Sequence, residues 1–97
     1  MMQVTIHRAV EKEIIEAADW YETQVTGLSK GLLKEFKEAL DDIKIFPEMG
    51  SLVEEGIRRR VLRHYPYSVI YRLFPGKVLV VGFMHHKRSS DAWKCRQ

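Results

Sequence analysis

The sequence predicts an α+β fold in which a hairpin of two helices packs on one face of a small, mostly antiparallel sheet of four strands. Two observations predict this class. In the first half of the chain, apolar residues recur at three- and four-residue steps, which is the period of an amphipathic helix. In the second half, three runs rich in β-branched and aromatic residues are separated by turn signals, which is typical of antiparallel strands. The predicted order of elements is β-α-α-β-β-β.

The first half contains one short strand and both helices. Residues 3–7 alternate between polar and apolar, which predicts a strand. The helix predicted over residues 11–24 has an apolar stripe made of Val10, Ile14, Ala17, Ala18, Tyr21 and Val25. The helix predicted over residues 29–46 has a stripe made of Leu32, Leu33, Phe36, Leu40 and Ile43. Ser29 is the expected N-cap and Pro47 the expected stop, because serine accepts from free N–H groups and proline cannot continue a helix.

The second half contains the other three strands, predicted over residues 57–63, 67–74 and 77–85. Pro75 and Gly76 mark the tight turn between the last two strands. Residues 89–96 are predicted as a short final helix or a tail. Because the helical stripes must be buried somewhere, we expect both helices on one face of the sheet. The other face is then left to water or to a partner.

Length and composition predict one domain, residues 1–97, located in the cytoplasm. A chain of 97 residues with 45% hydrophobic and 30% charged residues can build one core but not two. The single cysteine, Cys95, cannot form an internal disulfide. The first residues are too polar for a signal peptide, and the longest apolar run, residues 78–84, is too short to span a membrane.

Charge is divided unevenly along the chain. Residues 1–56 contain 6 Lys/Arg and 12 Asp/Glu, a net charge of −6, whereas residues 57–97 contain 10 Lys/Arg and 1 Asp/Glu, a net charge of +9. Such an asymmetry favours an acidic or polyanionic partner for the basic half. The alternative is that the two halves neutralise each other within the fold.

The densest cationic run is Arg58, Arg59 and Arg60, with Arg63 just beyond it. In a strand, neighbouring side chains point to opposite faces, so Arg58 and Arg60 share one face and Arg59 lies on the other. These arginines therefore cannot line a single groove. One set must reach acidic helix positions or the sheet edge, and a charged edge strand that resists aggregation is a structural alternative for the whole run.

A second cationic cluster, His85, His86, Lys87 and Arg88, follows the last strand. Together with Arg72 on the neighbouring strand, it is the candidate active surface, because arginine binds phosphates and histidine transfers protons near neutral pH. A solvated strand end is the alternative. Trp93 is expected to anchor the tail on the sheet rather than to stack on a base.

Metal, cofactor and known catalytic motifs are not predicted. His85 and His86 point to opposite faces of a strand, so no metal site is expected, and no cofactor is expected. The sequence has no glycine-rich phosphate loop and no nucleophile elbow. The second half contains a single carboxylate, Asp91, so a pair of carboxylates for acid–base catalysis cannot be built there.

Several segments of the chain resemble the RelE/ParE toxin superfamily, in particular its ParE-like, plasmid-stabilisation branch. The segments are residues 16–22 (EAADWYE), 56–59 (GIRR), 63–72 (RHYPYSVIYR) and 85–93 (HHKRSSDAW). The resemblance extends from Val4 to Trp93. It implies the β-α-α-β-β-β fold and a toxin that is neutralised by a cognate antitoxin.

The resemblance leaves three functions open. ParE-type members inhibit DNA gyrase and are not enzymes, whereas RelE-type members cut mRNA on the ribosome. A non-toxic module that only binds its antitoxin is the third reading. The lack of acid–base partners in the basic half favours the gyrase inhibitor, and the tail also departs from many RelE-type nucleases in lacking their C-terminal tyrosine.

No catalytic residue is assigned on the gyrase reading. If the chain is a nuclease, the candidates are Arg72, His85 and Arg88, with Arg58 and Arg60 also holding phosphates. The expected target-binding residues are Arg58, Arg60, Arg72, His85, His86, Lys87, Arg88 and Trp93. The resemblance is compatible with either a homodimer or a toxin–antitoxin heterotetramer, and with no contact to a membrane.

Overall fold

The computed structural model describes residues 2–87 and 92–97 and confirms the predicted α+β class. The elements, in chain order, are β1 (Gln3–Ile6), α1 (Arg8–Gln24), α2 (Ser29–Ile45), β2 (Ser51–Glu54), β3 (Ile57–Val61), β4 (Tyr67–Phe74), β5 (Lys77–His85) and a short 3-10 helix, η1 (Ala92–Arg96). β4 and β5 have the predicted bounds. The predictions for Arg88, Asp91 and the start of the tail concern residues 88–91, which lie outside the described residues.

The sheet has five strands in the order β1-β5-β4-β3-β2, rather than the four predicted. β1 is parallel to β5 and the other pairs are antiparallel, so the sheet is mostly antiparallel, as predicted. The additional strand is β2. Sequence patterns miss it because all its residues are exposed, so it has no alternation of apolar and polar positions.

Both helices cover one face of the sheet, which we call the helix face. Val10 and Ile14 of α1 and Leu32, Phe36 and Ile43 of α2 are buried there. They pack against the side chains of the two central strands, which include Val69, Tyr71, Val78, Val80 and Phe83. Burying each large apolar side chain contributes about 1.5–3 kcal/mol, so this layer is the main source of stability.

The connection between the helices is fixed by Glu22 and not by the predicted serine cap. Leu28 is the N-cap of α2 and makes no capping bond through its side chain, and Ser29 is already helical. Instead, the Glu22 carboxylate accepts hydrogen bonds from the N–H groups of Gly27 and Ser29 and from the Ser29 hydroxyl. The expectation that Ser29 caps α2 is therefore wrong, because a carboxylate from the preceding helix already binds these free N–H groups.

The turn after α2 is held from the core by Tyr71. Its hydroxyl donates to the carbonyl of Pro47 at 2.6 Å and accepts from the N–H of Gly50 at 3.2 Å. A Cβ atom at Gly50 would lie 2.5 Å from that hydroxyl, so only glycine fits here. Tyr71 is fully buried, and this burial raises the pKa of its hydroxyl.

The second face of the sheet, which we call the open face, is partly covered by the tail. Trp93 of η1 packs on Ile57, Ile70 and Val81 and is 5% exposed. Gly82 makes room for it, since a Cβ atom there would lie 3.2 Å from the Trp93 Cβ. The expectation that this face is left to water or a partner is therefore wrong at its centre, while the interpretation of Trp93 as an anchor agrees with the structure.

Candidate functional site

The arginine run of β3 is divided between the two faces, as strand alternation predicts. Arg58 and Arg60 lie on the helix face and contact the C-terminal part of α2 and its turn. The Arg58 guanidinium donates to the carbonyls of Glu48 and Gly50 at 2.9 and 2.8 Å. Arg60 forms an ion pair with Asp42 at 2.6 Å. Arg59 is exposed and lies on the open face. Both side chains are thus held by the end of α2 and the turn after it, and of the two, Arg60 is the one paired with a carboxylate.

The residues after β3 are held by α2 in the same way. Glu35 accepts hydrogen bonds from the backbone N–H groups of Arg63 and His64 and contacts the His64 ring at 2.8 Å. Burial acts to raise the pKa of Glu35, but the hydrogen bonds from His64 and Arg63 outweigh it, so the pKa lies below its usual value. Glu35 therefore holds the segment after β3 against α2 mainly through backbone groups, whereas the Asp42–Arg60 ion pair neutralises one charge of the basic half.

Arg72 is not part of the cluster that follows β5. In the β4–β5 pairing, Arg72 lies opposite Leu79, whereas His85 lies opposite Tyr67. Five residues along a strand correspond to about 17 Å, so Arg72 and His85 lie near opposite ends of the hairpin. The expectation that Arg72 joins His85, His86 and Lys87 in one patch is wrong. Arg72 instead lies over the ring of Phe74, with its carbon Cζ 5.2 Å from the centroid, and binds the side chain of Gln97.

The two histidines at the end of β5 point to opposite faces. The His85 ring packs edge-on against Tyr67 at 5.0 Å, and its Nδ1 accepts from the backbone N–H of Lys87 at 3.0 Å. The His86 Nε2 lies 2.9 Å from the hydroxyl of Ser68, which is buried beneath it. Since Tyr67 and Ser68 are neighbours in β4, their side chains point to opposite faces and so do the histidines that contact them.

His85 and Lys87 line a cavity with a volume of about 640 Å³. We call it the α1–β5 groove. Its lining comes from one flank of α1, the entry to β4 and the end of β5, and consists of Glu13, Glu16, Ala17, Trp20, Tyr21, Pro66, Tyr67, Phe83, Met84, His85 and Lys87. Its size is that of a typical ligand or peptide site.

The groove combines an aromatic floor with charge of both signs. Tyr21 and Tyr67 contact each other edge-on at 6.3 Å, and Tyr67 stacks on Phe83 at 4.8 Å. Trp20 is 57% exposed at the α1 side. Burial raises the pKa of Tyr21, with Tyr67 and Tyr65 adding to the effect, so this hydroxyl stays neutral at ordinary pH. Such a lining suits a partner segment that inserts apolar side chains and is polar at its edges.

Sequence reasoning selects His85 and Lys87 but misses the α1 side of the groove. Glu13, Glu16 and Trp20 recur at steps of three and four residues, so they form a second stripe beside the core stripe of α1. The position of Trp20 on this second stripe, away from the core stripe, is a sequence signal that could have been used.

No metal site is formed by the described residues, since none of their His, Cys, Asp and Glu side chains gather in groups of three. In the part of the chain that the structure describes, no helix has the length and apolar character needed to cross a membrane.

Comparison with known proteins identifies the family. Residues 4–90 match the model of the ParE toxin of type II toxin–antitoxin systems, parDE. The chain belongs to the ParE toxin family. This confirms the resemblance drawn from the four sequence segments. The matched region holds both helices and every strand residue except Gln3, the first residue of β1. It ends before η1, so the Trp93 anchor lies outside it.

A solved structure supports the fold of this ParE family member. The chain is similar to one from the chromosomal ParDE toxin–antitoxin system of P. aeruginosa, with a TM-score of 0.76 and 15% sequence identity. The alignment covers 88% of this chain and 96% of the other. At this identity the likeness concerns the fold alone. Among curated proteins, none has a significantly similar sequence.

Proposed function

We propose that this member of the ParE family is a cytoplasmic toxin that inhibits DNA gyrase without being an enzyme and is neutralised by a cognate antitoxin. The observation that carries the proposal is the family match over residues 4–90. The ParDE structure that it resembles belongs to a toxin–antitoxin system, which supports an antitoxin as the partner of this chain.

The arrangement of the basic residues supports an inhibitor rather than a nuclease. A nuclease has to hold a phosphate and stabilise its transition state with several charges at one place. Arg58 and Arg60 are bound to the C-terminal part of α2 and the turn after it, and Arg72 lies near the far end of the hairpin from His85. The remaining nuclease candidate, Arg88, lies outside the described residues.

For the gyrase contact, we propose the end of β5, with His85 and Lys87 on the groove side and His86 on the open face. These residues lie side by side at one corner of the sheet, next to the exposed Trp20. Arg88 follows them in sequence. Arg58, Arg60 and Trp93 contribute indirectly by holding the sheet that carries this corner.

The test is a gyrase supercoiling and DNA-cleavage assay with the purified chain, compared with Lys87→Ala and His85→Ala. We expect inhibition by the wild type at micromolar concentration and at least a tenfold weaker effect for Lys87→Ala. Arg59→Ala is the matched control, because it removes one exposed positive charge elsewhere and should inhibit like the wild type. Unchanged gyrase activity with wild-type protein would rule the proposal out.

The same preparations also test the two other readings. Codon-dependent mRNA cleavage in a translating extract, lost in His85→Ala, would support a ribosome-dependent nuclease instead. Absence of growth arrest when the chain is expressed without its antitoxin would support a non-toxic antitoxin-binding module.

A further inference from the structure

The outer edge of β5 is only partly covered by another strand. β1 pairs with β5 from Gln3 opposite Lys77 to Ile6 opposite Val80. The last backbone hydrogen bond of this pairing runs from the N–H of His7 to the carbonyl of Val80, at 2.9 Å. Residues 81–85 continue β5 beyond this point, and among the described residues no strand lies next to their outer edge.

Two charged side chains occupy this edge instead of a strand. The Phe83 N–H donates to Oε1 of Glu13 at 3.2 Å, and the Val81 carbonyl accepts from Nη1 of Arg96 at 3.1 Å. The same two side chains form an ion pair at 2.8 Å, and they are only 21% and 16% exposed, respectively. Glu13 comes from α1 and Arg96 from η1, so two distant parts of the chain meet to satisfy these backbone groups.

The segment that they cover is the one most prone to strand addition. Residues 78–84 are all uncharged and rich in β-branched residues, and they contain no proline, which is the composition that favours intermolecular sheets. An uncovered edge on such a strand is a template for pairing with another chain. The α1–β5 groove beside it leaves room for an additional strand, since Phe83, Met84 and His85 line one side of that cavity.

We propose that the outer edge of residues 81–85 is a strand-acceptor site that the Glu13–Arg96 pair keeps closed, and that opening the pair lets a second copy of this chain add its own residues 81–85 there. Antiparallel self-pairing centred on Phe83 places Gly82 opposite Met84 and Val81 opposite His85 of the second copy. No two charged side chains face each other in that register. Within residues 81–85, electrostatic repulsion therefore does not oppose the pairing.

The test uses the full chain with Arg96→Gln, which removes the positive charge that pairs with Glu13 and shortens the side chain that reaches the Val81 carbonyl. In sedimentation velocity, the weight-average sedimentation coefficient of Arg96→Gln is expected to rise with protein concentration toward the value of a dimer. The wild type is expected to show no such rise over the same concentrations. Arg96→Lys, which keeps a positive donor, should restore most of the wild-type behaviour. Arg59→Gln is the matched control, because it removes an exposed arginine from another part of the sheet.

Hydrogen exchange at the Phe83 amide identifies the surface that associates. In Arg96→Gln this amide should exchange faster than in the wild type at low concentration and become protected as concentration rises. A variant that stays as the wild type at every concentration, or that associates without protecting Phe83, would overturn the proposal. If circular dichroism shows that Arg96→Gln is unfolded, Glu13→Ala replaces it, because it breaks the same ion pair from the α1 side. The association and the Phe83 protection of Glu13→Ala then test the proposal in the same way.

Discussion

At the scale of single residues, the neighbouring arginines of β3 have different roles because they lie on different faces. Arg60 is paired with Asp42, with side-chain exposures of 22% and 37%, whereas Arg59 is exposed. Arg60→Ala removes a partly exposed ion pair and leaves Asp42 in contact with water, so we expect the free energy of unfolding to fall by about 1 kcal/mol. Arg59→Ala should change it by no more than about 0.5 kcal/mol. Urea unfolding of the two variants measures this difference, and equal losses would contradict the assignment of faces.

The two tryptophans provide a second comparison at this scale. Trp93 is 5% exposed within the open-face cluster, and Trp20 is 57% exposed at the groove. We expect Trp93→Ala to cost about 3–5 kcal/mol, because it removes a large buried side chain and leaves a cavity. Trp20→Ala should cost about 0.5 kcal/mol. Thermal unfolding distinguishes the two. A small loss for Trp93→Ala would mean that the tail does not anchor through its indole.

At the scale of elements, the start of α2 depends on a carboxylate from α1. Hydrogen bonds from the Ser29 hydroxyl, and then from the N–H groups of Gly27 and Ser29, lower the pKa of Glu22 below its ordinary value of 4.5. The unfolded chain therefore takes up this proton more readily than the folded chain. The stabilisation from Glu22 is complete above pH 4.5 and is lost as the pH falls through the lower pKa of the folded state.

Glu22→Gln should therefore reduce stability near neutral pH and flatten its decline in acid. The measurement is the urea midpoint of wild type and variant from neutral pH to about two units below the ordinary pKa of glutamate. Glu16→Gln is the control, since Glu16 is an exposed carboxylate on the same helix and forms a long ion pair of 4.0 Å with Lys12. Parallel pH profiles for wild type and Glu22→Gln would contradict the capping role.

The sequence predicted the elements whose apolar and polar residues repeat with a clear period. It did not predict features that depend on contacts between residues far apart in the chain. The helical stripes and the alternation of Arg58, Arg59 and Arg60 were readable because each depends on local spacing. β2 was not, because all its residues are exposed. Arg72 lies close to the Pro75 turn and His85 lies far from it, so their separation could have been predicted from the sequence. The prediction of a single patch considered only that both residues are basic and lie on neighbouring strands.

The candidate site was only half predicted for the same physical reason. His85 and Lys87 stand out as charges that follow an apolar strand. The α1 side of the groove and the Glu13–Arg96 pair join residues up to 83 positions apart. Contacts at that separation depend on how α1 and η1 pack on the sheet, and no local pattern reports them.

At the scale of the whole molecule, small size makes stability sensitive to a partner. A domain of 97 residues buries a modest fraction of its surface, so the stability of the toxin alone should be marginal. A partner that binds only the folded state adds about 2.7 kcal/mol when its free concentration is a hundred times Kd. For a domain of this length, that corresponds to a rise in Tm of roughly 10–20 °C.

We therefore expect the Tm of this chain to increase with the concentration of its cognate antitoxin. The increase should continue without a plateau while the free antitoxin concentration exceeds Kd, because the stabilisation grows with the logarithm of that concentration. Differential scanning fluorimetry across a hundredfold range of antitoxin measures this. Trp20→Ala tests whether the α1–β5 groove takes part, since its side chain is exposed there and its loss should leave the Tm of the toxin alone almost unchanged. A wild-type Tm that does not change with antitoxin concentration would contradict binding between the two proteins. A Trp20→Ala curve identical to that of the wild type would place the antitoxin on another surface.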